Sequence, residues 1–140
     1  MANATATQIL VDGPRNVVIK FEGILDTSDL GSTTILDVSA LTSMQPGAAS
    51  GLPPTSVSLL EAQYSIEDGL AVNLLWDADT DLRILQLVGR GKMCFEEFGG
   101  LKNNAGAGVT GDVLATTEGW GSGTKSFTVI LEFKKHGASA

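Results

Sequence analysis

In Asn16–Leu25 the apolar Val17, Ile19 and Phe21 alternate with Val18, Lys20 and Glu22. In Ser126–Lys134 the residues Phe127, Val129, Leu131 and Phe133 share one parity, and Thr128, Glu132 and Lys134 the other. Side chains of an extended strand point to opposite faces in turn, so this period of two predicts strands with one face on a core and one on water. The second pattern reads as a central strand. No window repeats apolar residues at helical spacing over three turns. Helix is therefore confined to a short turn near Thr27–Gly31 or Phe95–Gly99.

Seven further strand signals lie around these two, each short and bounded by Gly, Pro, Asn or Asp: Thr7–Val11, Thr33–Val38, Val57–Ile66, Leu70–Trp76, Leu82–Val88, Lys92–Phe95 and Asp112–Thr117. In Val57–Ile66 the phase of Val57 and Leu59 switches to that of Leu60, Ala62, Tyr64 and Ile66, which is what one inserted residue at a β-bulge produces. Asp12-Gly13-Pro14 and Glu67-Asp68-Gly69 carry turn chemistry and read as connections between neighbouring antiparallel strands. The expectation is an all-β fold: an antiparallel β-sandwich, jelly-roll-like, of about nine short strands with little helix. Residues 1–10 form an N-terminal arm or first strand, 11–135 the β-sandwich domain and 136–140 a C-terminal tail.

Composition narrows the function. The 140 residues suit one domain, and nine basic against sixteen acidic residues leave a net charge of −7. Such a field repels phosphate backbones and anionic lipids, so neither nucleic acid nor membrane is an expected partner. No basic start precedes a short apolar run, and no apolar stretch is long enough to span a bilayer; a product of cytoplasmic synthesis is expected. Cys94 is the single cysteine, which excludes an intrachain disulfide. Its phase in Lys92–Phe95 predicts a buried thiol.

Each motif that could carry chemistry lacks its context. Gly106-Ala-Gly108-Val-Thr-Gly111 has the glycine spacing of a dinucleotide loop, yet it follows the polar run Lys102-Asn103-Asn104 and precedes a strand, not a helix. Asp77, Asp79 and Asp81 resemble the opening of a calcium loop, but Leu82 and Val88 stand where that loop needs Gly and Glu, leaving at most a weak site on an acidic turn. The only histidine, His136, falls in the small-residue tail, a poor place for a general base. Glu96-Glu97 and Asp26 with Asp29 read as solvated faces. The sequence therefore predicts no enzyme, no catalytic, cofactor-binding or metal residues, and no cofactor.

What remains is surface. Met44–Pro54 is rich in Pro, Gly, Ala and Ser, Gly99–Gly111 is a small-residue loop, and long loops in compact domains often carry contacts. The candidate interface residues are Met44, Gln45, Pro46, Leu52, Pro53 and Pro54 on the first loop, and Leu101, Lys102, Asn103 and Asn104 on the second. Trp76 shares the phase of Leu70, Val72 and Leu74 and belongs to the core. Trp120, between glycines, is expected to protrude as an interface anchor or a sugar-stacking platform.

Four blocks carry a resemblance: Val11-Asp-Gly-Pro-Arg-Asn-Val-Val-Ile-Lys-Phe-Glu-Gly, Leu25-Asp-Thr-Ser-Asp-Leu, Glu67-Asp-Gly-Leu-Ala-Val-Asn-Leu-Leu-Trp-Asp and Gly99-Gly-Leu-Lys-Asn-Asn-Ala-Gly-Ala-Gly-Val-Thr-Gly. From about Val11 to Lys134 the chain resembles small virion structural proteins of tailed bacteriophages, of the capsid decoration or cement type. The resemblance implies a β-sandwich or jelly-roll on the icosahedral shell, often trimeric, that clamps neighbouring capsomers. The implied partners are the major capsid protein and sister subunits, and the implied location is the capsid surface of the virion. A tail or head-tail component and a carbohydrate-binding β-sandwich are the other readings. No site residue transfers from the family.

Overall fold

The computed structural model describes residues 3–13, 15–38, 41, 56–103 and 106–136. Among the described residues, nine strands run in the order β1 (Ala4–Asp12), β2 (Asn16–Leu25), β3 (Thr33–Leu36), β4 (Ser56–Ile66), β5 (Ala71–Trp76), β6 (Leu82–Val88), β7 (Arg90–Cys94), β8 (Val113–Glu118) and β9 (Lys125–His136). A 3-10 turn, Glu96–Phe98, stands where a short helical turn is expected. Two antiparallel sheets result, β1-β2-β9-β4-β7 and β3-β8-β5-β6, in a sandwich-like arrangement. The pairs β2·β9, β3·β8, β4·β7 and β5·β6 are nested about the β5–β6 hairpin, so the chain resembles one long hairpin wound into two layers.

The parity of the sequence is the parity of the core. Val17, Ile19, Phe21 and Leu25 of β2 and Phe127, Val129, Leu131 and Phe133 of β9 are at most 2 % exposed, and they meet Val72, Leu74, Trp76, Val113 and Ala115 from the other sheet. β9 is central, flanked by β2 and β4. The ring of Phe127 lies over Gly23, where a Cβ would stand 2.6 Å from Cζ; at that position the close approach requires glycine. Leu60 is the inserted residue of β4, since Leu59 faces Phe133 and Glu61 faces Glu132. The bulge is used: Phe95 N–H donates to the Leu60 carbonyl at 2.7 Å.

Two expectations are corrected. Glu67-Asp68-Gly69 does not join neighbours in one sheet; it carries the chain from β4 across to β5 in the other layer. Ile66 and Leu70, on either side of it, are both buried and enter the same core from opposite sheets. Cys94 is exposed. It pairs with Glu61, on the outward parity of β4, whereas Met93 and Gly91 oppose the inward Ala62 and Tyr64. Every residue of β7 is exposed, so this edge strand buries neither of its parities.

Candidate interaction surfaces

The glycine loop and the acidic turn, separate in sequence, form one structure. Asp79 N–H donates to the Ala107 carbonyl (3.0 Å), Thr110 N–H to the Asp77 carbonyl (3.1 Å), and the Thr110 hydroxyl to Asp77 Oδ2 (2.8 Å). Asp81 Oδ1 accepts from Ala78 N–H (3.1 Å), the local side-chain bond that favours aspartate in turns. Gly108 has φ +79°, and a Cβ there would lie 2.1 Å from Asp79 Oδ1. Asp77 and Asp81 thus spend their carboxylates on the loop and the turn rather than converging with Asp79 on a cation. Beneath, Asp112 Oδ1 accepts from Val38 N–H (3.0 Å). Burial raises its pKa above the ordinary carboxylate range, the Val38 bond opposes that rise, and Asp37 and Asp77 add to it.

The other end of Gly99–Gly111 is a clamp on β4. Leu101 and Leu59 exchange both backbone hydrogen bonds (3.0 and 2.8 Å), and the half-buried Leu101 packs against the core. Lys102 is exposed and Asn103 half-buried. Asn104 lies outside the described residues, as do Met44, Gln45, Pro46, Leu52, Pro53 and Pro54.

Trp120 does not protrude. Its ring is half-buried against the core, its indole N–H donates to the Gly123 carbonyl (2.9 Å), and its backbone N–H donates to Asp29 Oδ1 (3.0 Å). The same Asp29 oxygen accepts from the Thr117 hydroxyl (3.1 Å), whose oxygen in turn accepts from Leu30 N–H (2.7 Å). The flanking glycines fold the segment back rather than releasing it.

Strand pairing assembles three groups that the linear sequence hides. His136 is the last residue of β9, not part of a tail, and its Nε2 lies 2.7 Å from Ser58 Oγ. Burial lowers its pKa, with Lys134 and Lys102 acting in the same direction. Ser58 is 1 % exposed, so its hydroxyl offers no substrate access and the pair is structural. At the same end, the buried Lys135 ammonium is paired with the Asp12 carboxylate.

On the outer face of the five-stranded sheet, carboxylate oxygens of Glu61, Glu96 and Glu132 lie within 4.8 Å of one another. Desolvation raises the Glu132 pKa, and Glu96 and Glu61 raise it further. Glu61 is held below the usual range by Gln63, with Lys92 at 3.3 Å adding to the effect. Carboxylate oxygens suit a hard divalent cation, but Lys92 already neutralises Glu61. The outer face of the other sheet carries a polar ladder, in which Gln86 donates to Asn73, and Asn73 and Arg83 donate to Glu118.

The N-terminal arm or first strand expected from the sequence is an edge strand. β1 borders the five-stranded sheet, is exposed from Ala4 to Val11, and presents Ile9, Leu10 and Val11 at 50, 44 and 52 % exposure. The available signal was the absence of any charged residue before Asp12 in an otherwise acidic chain. Compared with known proteins, the chain matches no protein-family model and no curated protein.

Proposed function

We propose that this chain is a bacteriophage virion structural protein, a capsid decoration or cement protein that binds the outside of the icosahedral head and stabilises contacts between capsomers. The observation that carries the proposal is the nested strand pairing. Together with the two-sheet split, it supports reading the fold as a jelly-roll, an architecture that recurs in viral capsid domains. The warrant is analogy of fold joined to the sequence resemblance described above.

The side chains are consistent with a part that works by contact. Ser58, Asp77 and Asp81 are committed to partners within the fold, and Trp120 spends its indole N–H on Gly123, which weighs against a glycan-stacking role. In this reading the partners are the major capsid protein and sister subunits, a homotrimer being the expected assembly, and the location is the capsid surface. Apolar area buried at those contacts would stabilise the shell by ~25 cal/mol per Å² before the entropic cost of association.

The test is the thermal release of packaged DNA from particles with and without this chain, with its position read from a cryo-electron-microscopy map. Particles lacking it should open at lower temperature, and density should lie over the capsomers. Equal heat stability would overturn the proposal. Density confined to the tail would assign the chain to a tail or head-tail role.

A further inference from the structure

β1 is fixed at both ends and open between them. At its start, Asn3 Oδ1 accepts from the backbone N–H groups of Asp26 (2.8 Å) and Thr27 (3.0 Å), while Asn3 Nδ2 donates to the Ser28 carbonyl (3.0 Å). At its end the Asp12 carboxylate meets the buried Lys135 ammonium. Along its inner flank, Ala4 to Ile9 pair with Ile24 to Ile19 in unbroken register, and a bulge follows at Leu10. Among the described residues, the outer flank has no strand beside it. A strand held this way cannot peel off to satisfy its outward backbone groups elsewhere.

The two sheets have four edge strands, and three are guarded. β7 carries Arg90 and Lys92, β6 carries Arg83 next to Asp81, and β3 is only four residues long. Charges and short length are the usual devices against edge-to-edge pairing. β1 is nine residues long, and its sole charge, Asp12, is engaged with Lys135. Its bulge blunts only the far end. From Thr5 to Val11 the edge combines threonine, glutamine and β-branched residues with no charge and no proline, the composition that favours strand pairing.

We propose that the free edge of β1 pairs antiparallel with β1 of a second copy of this chain, joining two five-stranded sheets across a two-fold axis. Self-complementarity selects this occupant. Two bodies of net charge −7 repel where acidic surfaces meet, and β1 is a flank at which two copies can meet without opposed charges. In a two-fold pairing residues of one parity stay opposite each other, so a pairing about Thr7 sets Thr5 against Ile9 and Ala6 against Gln8. Small residues stand beside larger ones, and no charge faces a like charge. The proposal stands whether or not the chain serves on a capsid, where a trimer would have to form through surfaces other than β1.

The experiment is sedimentation equilibrium of the full chain across a wide concentration range, with Thr7→Lys, Thr7→Glu and their mixture. Thr7 is exposed, so either substitution should leave the monomer folded by circular dichroism. The native chain should self-associate, with β1 amides gaining protection from hydrogen exchange as concentration rises. Each variant alone should dimerise about tenfold or more weakly, because like charges then face each other. Mixing lysine and glutamate variants should restore the dimer. If Thr7→Lys does not fold, the double variant Ala6→Lys/Gln8→Lys, whose lysines the register sets opposite each other on the other face, performs the same test. A native chain monomeric at every concentration would overturn the proposal, and so would an oligomer that both variants leave intact.

Discussion

Glu132 faces Glu61 directly across β9 and β4, with Glu96 alongside, and like charges in opposed positions on a sheet destabilise it. Desolvation first, and then Glu96 and Glu61, raise the pKa of Glu132, so the native state holds that proton more tightly than the unfolded chain does. As pH rises from the ordinary carboxylate value through the raised native value, stability must fall, and above that window the full cost is present. Glu132→Gln should therefore raise the midpoint of thermal unfolding at neutral pH by about 1–3 °C. The gain should shrink as pH falls and the native carboxyl becomes protonated. Thermal scans of both proteins across acid to neutral pH would check this, and a gain independent of pH would refute the electrostatic cause. Parity made Glu132 legible as outward-facing, but its neighbour Glu61 was set by a register that joins residues far apart in the chain. Cys94 was misassigned because its local alternation does not reveal that β7 is an edge strand exposed on both parities.

The glycine motif and the aspartate motif brace each other at the β5–β6 turn. Gly108 is the contact point: its φ of +79° is open to glycine, and a Cβ would displace the Asp79 carboxylate and crowd Asp79 N. Gly108→Ala is expected to cost about 1–3 kcal/mol of stability. It should also loosen the exchange protection of the Asp79 and Thr110 amides, which donate to Ala107 and Asp77 across the junction. Denaturant unfolding combined with hydrogen exchange would check both effects. A stability loss with those amides unchanged would mean that the loop and turn are not coupled. Elements whose signal is local were readable: the span of β2, the bulge at Leu60, the 3-10 turn after Phe95. Docking of the loop onto the turn was not, because each motif was judged by a possible ligand rather than by the other. Trp120 was misjudged likewise, since flanking glycines permit either protrusion or the fold-back that Gly123 and Asp29 hold in place.

Nesting the strand pairs leaves the two ends of the chain in unequal positions. β9 fills the middle of the five-stranded sheet and contributes four buried apolar residues, whereas β1 sits at the rim and is exposed from Ala4 to Val11. That asymmetry was half legible, since the unbroken parity of Ser126–Lys134 marked a central strand, while nothing local assigned Ala4–Asp12 to an edge. Besides its pairing with β2, β1 meets the core through the Asp12–Lys135 pair. Removing one member of a buried ion pair strands the other charge, at a cost of about 3–5 kcal/mol. Two truncations differing by two residues should therefore behave differently. Deleting residues 1–10 leaves Asp12 on the hairpin closed by the Gly13 N–H bond to the Asn16 carbonyl, and the domain should stay folded with a modest loss of stability. Deleting residues 1–12 leaves the Lys135 ammonium buried without that carboxylate, and a further loss of about 3 kcal/mol or more should follow. Lys135→Met in the shorter chain should recover most of the difference, because it removes the stranded charge and keeps the apolar stem. Urea unfolding of the three proteins would decide it, and equal midpoints for the two truncations would show that β1 contributes to the core through its strand pairing and not through Asp12.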